Sequence, residues 1–231
     1  MSEGISRAKS VVKLSFANCY IPDDGVEAIV RAFLINNVCT DLDLSSNFMS
    51  LKSSVALEEV LIENKTLENL NLSYNALYED NAIVNVLKGL SQNESLQYLD
   101  ISWNALCGDA LLKILAKSIR LSKLKSLKIE HNRLSTAELK KLAIGLKFSK
   151  TIEEVYVADN LIFDEDDYDL VRVFISKSPL KLMSFGPWFH LSREAFNVSF
   201  NINCVAKLMI QLILTAFKKN SKRKTFRQSH L

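Results

Sequence analysis

The chain has 231 residues, of which 48% are hydrophobic and 24% are charged, a composition typical of a protein that folds around an apolar core. Six glycines and three prolines are too few for a collagen-like or Pro/Gly-rich disordered chain, and no apolar run approaches the roughly 18 residues of a membrane-spanning helix. The first ten residues lack the apolar segment of a secretory signal, and four scattered cysteines are too few for a disulfide framework. The sequence therefore predicts a cytoplasmic chain without a transmembrane segment, with the nucleus as the alternative compartment.

Charge is unevenly distributed along the chain, although the formal net charge is only +3. Residues 207–231 contain seven Lys and Arg and no acid, so residues 1–206 hold the other 22 bases against all 26 acids. The body thus carries a net charge of 22 − 26 = −4 and is followed by a basic end.

A repeat begins after a lead-in of residues 1–10. The pattern L-x-x-L-x-L-x-x-N-x-L occurs as LENLNLSYNAL at 67–77, LQYLDISWNAL at 96–106, LKSLKIEHNRL at 124–134 and IEEVYVADNLI at 152–162, with looser copies at 11–21 and 39–49. The Asn position recurs at steps of 28 or 29 residues, a regularity that chance does not produce. These positions, which we expect to form a structural ladder, are Cys19, Asn47, Asn75, Asn104, Asn132 and Asn160.

Within each repeat, the period of the apolar residues changes from two to nearly four. The L-x-L core alternates like a short strand, so Leu70 and Leu72 are expected to face the core while Asn71 faces outward. Apolar residues then recur four apart, which predicts one amphipathic helix per repeat. The extra residue of the 29-residue third repeat is expected in its strand-to-helix loop. The ladder amides are expected to satisfy backbone groups where each strand turns, with Cys19 as a small buried substitute.

The two ends of the chain depart from the repeat. Apolar positions persist at 180–190 but Trp188 replaces the Asn, so we interpret this segment as a degenerate seventh repeat and predict that the array spans 11–203. Residues 204–217 have one narrow polar stripe, which favours a capping helix over a partner-binding or membrane-surface helix. The basic segment 218–231 is predicted to be disordered. The lead-in offers little covering material, so the first repeat is expected to cap itself unless a partner or another segment covers it.

Six in-register copies of an eleven-residue pattern resemble the leucine-rich repeat superfamily, and the period of 28 residues resembles its ribonuclease-inhibitor-like subfamily. The resemblance implies an α/β leucine-rich repeat solenoid, a horseshoe arc with parallel strands on its concave face and helices on its convex face. Each repeat of such an array buries its apolar face only against its neighbours, so the array is one cooperative body.

No catalytic constellation is recognisable in the sequence. The three histidines lie far apart, and the motifs of zinc proteases, P-loops, dinucleotide-binding folds and serine hydrolases are absent. The acidic run 164–169 fails the EF-hand pattern, because Asp169 and Ile175 stand where Gly and Glu are required. It is interpreted as the first turn of a repeat helix. We therefore predict that the chain is not an enzyme and holds no metal or cofactor.

The register of the repeat identifies the side chains on the sheet face that the helices do not cover. In each repeat this open face comprises three residues. Two of them flank the central strand residue, and the third lies in the turn, three residues after the last strand residue. Tyr74, Trp103 and His131 occupy the turn position in consecutive repeats. Aromatic residues ringed by acids are typical of protein-binding surfaces, whereas an acidic face repels nucleic acid. A second interpretation, that Trp103 only shields the edge of the ladder, stays open. The predicted partner-binding residues are Tyr74, Tyr98, Asp100, Trp103, Lys128, His131 and Tyr156.

These features predict a non-catalytic scaffold that binds a protein partner, one with a basic segment, on the open face. Members of the resembled subfamily mostly bind proteins, and short arrays of this kind suggest a cytoskeletal or ciliary assembly. One alternative is a GTPase regulator resembling the Ran GTPase-activating protein, although that family ends in an acidic tail and this chain ends basic. The other is a membrane-surface adaptor that uses residues 204–217 and the basic end. The sequence does not determine the oligomeric state.

Overall fold

Six repeats each fold into a three-residue strand and a turn, and the first five continue into a described helix. The computed structural model describes residues 2–161, 180, 182–184 and 190–192. The chain divides into two compact units, 1–190 and 191–231, and the elements from α1 to β7 belong to the first. The strands are β1 Lys13–Ser15, β2 Asp41–Asp43, β3 Asn69–Asn71, β4 Tyr98–Asp100, β5 Ser126–Lys128, β6 Glu154–Tyr156, β7 Leu182–Ser184 and β8 His190–Ser192. The helices are α1 Ser2–Arg7, α2 Asp23–Arg31, α3 Leu51–Glu63, α4 Ala82–Leu90, α5 Asp109–Leu121 and α6 Thr136–Leu146, with 3₁₀ turns at Ala32–Leu34 and Glu79–Asn81.

Strands β1 to β7 pair in sequence order as one parallel sheet. The register advances by one repeat per strand, so Leu42 lies opposite Leu14 on one side and Leu70 on the other. The central strand residues face the core, where Leu42, Leu70 and Leu99 are at most 3% exposed. Their neighbours point to the opposite face because side chains alternate along a strand. The structure thereby confirms the predicted α/β solenoid of strands and helices.

The helices α2 to α6 pack side by side in sequence order, and their apolar residues join those of the strands in one core. The helices approach closely where glycines stand on the contact surface. A Cβ atom at Gly145 of α6 would lie 2.4 Å from the Cβ atom of Ala116 of α5. At Gly89 of α4 it would lie 2.9 Å from the carbonyl oxygen of Glu58 in α3. The spacing of the helix layer therefore depends on the absence of a side chain at these two positions.

The loops between strand and helix set where each helix begins. Helix α6 starts with a capping box, in which the Ser135 Oγ accepts from the Glu138 N–H and the Glu138 carboxylate accepts from the Ser135 N–H. Burial raises the pKa of Glu138, but hydrogen bonds donated to its carboxylate by the Ser135 hydroxyl, the Ser135 N–H and the Gly108 N–H bring this pKa below its ordinary value. In the third repeat the 3₁₀ turn Glu79–Asn81 precedes α4, so the extra residue lies in the strand-to-helix loop as predicted.

The N-terminal end differs from the expectation that the first repeat caps itself. The lead-in forms helix α1, whose Ile5 is buried in the core, and the Asn36 Nδ2 donates to the Ile5 carbonyl at 2.7 Å. Helix α1 therefore covers the first helix of the array.

The expectation of a buried Cys19 was wrong, since this side chain is exposed. Strand β1 is the first of the described strands, and among the described residues no preceding turn presents carbonyl groups to that position.

Several predicted features lie outside the described residues. These are the capping helix 204–217, the basic end 218–231, the acidic run 164–169 and Trp188. Strand β7 gives the degenerate seventh repeat a place in the sheet, in register with β6. The predicted limits of the array, 11–203, stay a prediction.

Candidate functional site

The five ladder asparagines lie in a row at the ends of the strands. Asn104 represents them: its Nδ2 donates to the carbonyls of Ile101 and Ser102 in its own repeat and of Leu72 in the preceding repeat, at 2.9–3.2 Å. Its Oδ1 accepts from the N–H of Leu77, also in the preceding repeat, at 3.3 Å. The same contacts recur one repeat apart along the row, at Asn47, Asn75, Asn132 and Asn160. Each amide thus joins two consecutive turns and holds the turn residues above the sheet in a fixed position.

A second row of asparagines lies at the opposite ends of the strands, where each helix returns to the sheet. Asn64 is buried, donates to the carbonyls of Phe33 and Asn36 at 2.9 Å, and accepts from the N–H groups of Thr66 and Leu67. Asn93 makes equivalent contacts one repeat later. The eleven-residue repeat pattern assigns no role to these residues. The signal available was their 28- or 29-residue spacing, which matches that of the first row.

The open face of the sheet is a shallow depression of about 500 Å³ that extends across strands β1 to β5. Outward side chains of these strands line it, and Asp41, Asp43 and Asp100 contribute carboxylates. Lys13 Nζ lies 3.1 Å from Asp41 Oδ1, so one of these acids already has a cation partner. The Oδ1 atoms of Asp43 and Asp100 accept from backbone N–H groups two residues later, each at 2.9 Å. The acids are therefore held in fixed orientations on the rim of the depression.

Three aromatic side chains form a continuous stack beside this depression. The ring centroids of Tyr74 and Trp103 are 4.5 Å apart at an interplanar angle of 14°, and those of Trp103 and His131 are 3.9 Å apart at 17°. His131 Nε2 lies 3.0 Å from Asp159 Oδ2 in the next repeat. Tyr74 is 49% exposed and Trp103 is 42% exposed, so the stack, which we call the aromatic row, is a surface feature.

The aromatic row occupies a strained backbone position. Its three residues have φ between 49° and 57°, and Asn18, Ser46 and Asp159 have the same left-handed conformation at the corresponding turn position. This conformation costs an L-residue roughly 1–2 kcal/mol, least for Asn and Asp. Trp and Tyr are therefore poor local choices here, and their half-exposed rings gain little burial in exchange. Such strain is typical of positions retained for function. Sequence reasoning placed these rings next to one another but did not predict the conformation.

The other predicted site residues are spread along the same face. Tyr98, at the start of β4, is 45% exposed and has no ring-stacking partner in the part of the chain that the structure describes. Lys128 Nζ lies 5.6 Å from the centroid of the Tyr156 ring, a cation–π arrangement. The Tyr156 hydroxyl donates to Glu154 Oε2 at 3.3 Å. The structure thus brings Lys128 and Tyr156 together at one end of the face and the aromatic row together in its middle.

One comparison with known proteins identifies the repeat. Residues 92–115, which include β4 and the first half of α5, match the family model described as Leucine Rich repeat. These residues therefore form a leucine-rich repeat, and the strands paired in register with β4 give the chain the fold of a leucine-rich repeat solenoid. Its assignment to the ribonuclease-inhibitor-like subfamily stays a prediction.

Two solved structures are similar to this leucine-rich repeat chain. "Leiomodin-1 Actin-Binding Site 2 (ABS2)" is 17% identical with a TM-score of 0.49, over 76% of this chain and 88% of that one. Internalin C2 from Listeria monocytogenes str. 4b F2365 is 20% identical with a TM-score of 0.33, over 76% of this chain and 80% of that one. At these values the likeness assigns no partner to this chain.

The electrostatics of the leucine-rich repeat sheet reflect its surplus of acid. The pKa of Glu130 is raised, mainly by burial and also by the nearby charges of Asp100 and Asp159. These effects outweigh the charges of Lys128 and His131, which lower this pKa. Asp41 behaves differently. Burial raises its pKa, but hydrogen bonds from neighbouring side chains and the charge of its lysine partner bring the pKa below its ordinary value.

Neither a metal site nor a membrane span is found in the described part of the chain. No group of three or more His, Cys, Asp and Glu side chains there is arranged to hold an ion. Among the same residues, every helix is too short or too polar to cross a bilayer. The arrangement on the open face offers stacking surface, hydrogen bonds and negative charge, which are the means of binding a macromolecule.

Proposed function

We propose that this leucine-rich repeat protein is a scaffold that binds a protein partner on the open face of its sheet. The observation that supports this best is the aromatic row, because Tyr74, Trp103 and His131 are stacked, partly exposed and held in a costly backbone conformation. Rigid aromatic rings with few rotatable bonds are the side chains that contribute most to protein interfaces. A row that only shielded the ladder would not need rings of this size at left-handed positions.

The charge of the open face indicates the chemistry of the partner. Five carboxylates lie on this face and a sixth, that of Glu130, lies near them, against two lysines. One of those lysines, Lys13, is already paired with Asp41. Carboxylates attract a basic protein segment and repel the phosphates of nucleic acid. The partner is therefore a protein with a basic segment. The six acids are Asp41, Asp43, Asp100, Glu130, Glu154 and Asp159.

The finer proposal is that this interaction belongs to a cytoskeletal or ciliary assembly, as the resemblance of the short, unadorned repeat array suggests. For the GTPase-regulator alternative, the described residues provide no catalytic group that would support it. The membrane-adaptor alternative depends on residues 204–231, which lie outside the described residues.

Affinity purification with mass spectrometry tests the proposal. The tagged wild-type chain is compared with a variant that carries Tyr74→Asn, Trp103→Asn and His131→Asn, because Asn tolerates the left-handed conformation. A matched control replaces three exposed apolar residues of the helices, namely Val55→Asn, Leu121→Asn and Ile144→Asn. We expect a partner that the wild type and the control retain and the row variant loses.

Direct binding of the purified partner follows, at increasing salt. Affinity that falls with ionic strength supports a basic segment, since screening weakens charge attraction. Equal recovery of every partner by the row variant and the wild type refutes binding through the open face.

A further inference from the structure

The aromatic row ends abruptly at Tyr74, and the position next to it is open. We infer that this end is a binding site for an arginine side chain of the protein partner. The guanidinium stacks on the free face of the Tyr74 ring, above Ser46, and pairs with the carboxylate of Asp43. The inference rests on the proposed function and names the chemistry that the open face recognises.

The geometry of the row shows why this end is the available one. Trp103 has a ring on each side, Tyr74 and His131, and His131 is held by Asp159 in the following repeat. Ser46 occupies the turn position in the repeat before Tyr74, with the same left-handed φ of about 55°. A hydroxymethyl group cannot cover a phenol ring, so the outer face of Tyr74 is left for another planar group.

The turn of Ser46 lies directly beside that of Tyr74. The Ser46 N–H donates to the carbonyl of Ser73 at 2.9 Å, which places the two turn positions one strand spacing apart. A planar group above Ser46 would therefore continue the stack at about the spacing the three rings already have.

The carboxylate of Asp43 lies near the turn of Ser46 and is available to bind a cation. Asp43 ends strand β2, three residues before Ser46, and its Oδ1 accepts from the Ser45 N–H at 2.9 Å. Its Oδ2 has no hydrogen-bond or cation partner among the residues that the structure describes. Asp41, at the other end of the strand, is already paired with Lys13 at 3.1 Å. Asp43 is thus oriented by the backbone and still free to bind a cation.

Arginine fits this combination better than lysine does. A guanidinium is planar and weakly hydrated, so it stacks on an aromatic ring and still donates to a carboxylate in its plane. The chain has an internal counterpart on the same face, where Lys128 Nζ lies 5.6 Å from the centroid of the Tyr156 ring. A cation on a tyrosine face is therefore an arrangement that this sheet already uses at its other end.

The test uses two fluorescently labelled probe peptides and the full chain. One peptide alternates arginine and serine, the other alternates lysine and serine, and binding is measured by fluorescence anisotropy. Asp43→Asn removes the charge but keeps an acceptor for the Ser45 N–H, whereas Ser46→Tyr fills the position with the chain's own ring. Asp24→Asn, on the helix side, removes the same charge at an exposed site and is the matched control.

We expect the wild type to bind the arginine peptide more tightly than the lysine peptide. Asp43→Asn and Ser46→Tyr should each weaken binding of the arginine peptide by roughly tenfold, the effect of losing one charge-assisted hydrogen bond or stacking contact. Asp24→Asn should leave it within about twofold, as expected for an exposed charge far from the site. Thermal unfolding of each variant checks that the fold is retained.

Two outcomes overturn the inference: equal binding of the two peptides to the wild type, and equal losses in Asp43→Asn and Asp24→Asn. Either result leaves the scaffold function intact if affinity purification still finds a partner that depends on the aromatic row. Loss of the scaffold function would instead appear in that purification as equal recovery by every variant.

Discussion

Replacing Asn104 by alanine is the most direct perturbation of the ladder. Asn104 is only 1% exposed, and its Nδ2 donates to the carbonyls of Leu72, Ile101 and Ser102. In the variant each of these carbonyls keeps a second donor, from the side chains of Asn75 and Asn132 or from a backbone N–H. The carbonyls therefore contribute little to the loss of stability.

The cost of the substitution comes mainly from the N–H of Leu77. This residue is fully buried, and Asn104 Oδ1 at 3.3 Å is its only hydrogen-bond acceptor among the described residues. A buried N–H without an acceptor costs about 1–3 kcal/mol, so we expect Asn104→Ala to lower the free energy of unfolding by that amount. The total stability of a domain is only about 5–15 kcal/mol, so such a loss is readily measured.

Urea denaturation followed by circular dichroism measures this loss, and two further variants define its origin. Cys19→Ala changes the same ladder position where it is exposed, and should alter stability by less than about 0.5 kcal/mol. Asn104→Asp keeps an acceptor for Leu77 but sets a charge beside three carbonyl oxygens, so it should destabilise more than Asn104→Ala does. A free energy of unfolding for Asn104→Ala within about 0.5 kcal/mol of wild type would refute the reasoning, since the turns would then not depend on the ladder.

Gly145→Ala should destabilise the chain by about 1–3 kcal/mol in urea denaturation, because its Cβ atom would overlap that of Ala116, whereas Gly4→Ala, with open space around it, should not. Trp103→Asn should change the free energy of unfolding by less than about 1 kcal/mol, since relief of the left-handed strain offsets the lost stacking, yet should abolish partner capture. Because the pKa of Glu138 is lowered, its carboxylate stabilises the fold above the unfolded-state pKa of about 4.3, and this stability is lost as the pH falls through the folded-state pKa. Acid titration monitored by circular dichroism should therefore show a smaller loss of stability for Glu138→Gln than for the wild type.

The repeat made much of the fold predictable, because one pattern repeated in register specifies each strand, each helix face and each turn. Leu42, Leu70 and Leu99 face the core as their alternation predicts. The extra residue of the third repeat lies in the loop where the shift of period placed it. The first repeat was predicted less well, because a pattern derived from interior repeats assumes a neighbour on both sides. The exposed Cys19 has no preceding turn to contact among the described residues. Ile5 of the lead-in joins the core although it lies outside the repeat pattern.

The candidate site was also predicted only in part. The sequence placed Tyr74, Trp103 and His131 one repeat apart, because a strand register fixes which residues are neighbours. It did not specify the left-handed backbone at their positions, since none of the six described residues at the turn position is the glycine that marks such a turn.

By itself, the sequence determined the period, the direction in which each strand residue points and the order of side chains along the open face, since these depend only on local alternation and spacing. Only the tertiary structure decided which contacts those neighbours make: how closely the rings stack, that Asp159 holds His131, and that Ser46 leaves one ring face open. These are distances between repeats, set by the shared hydrogen bonds of adjacent turns and the packing of the helices behind the sheet, and no single repeat contains them.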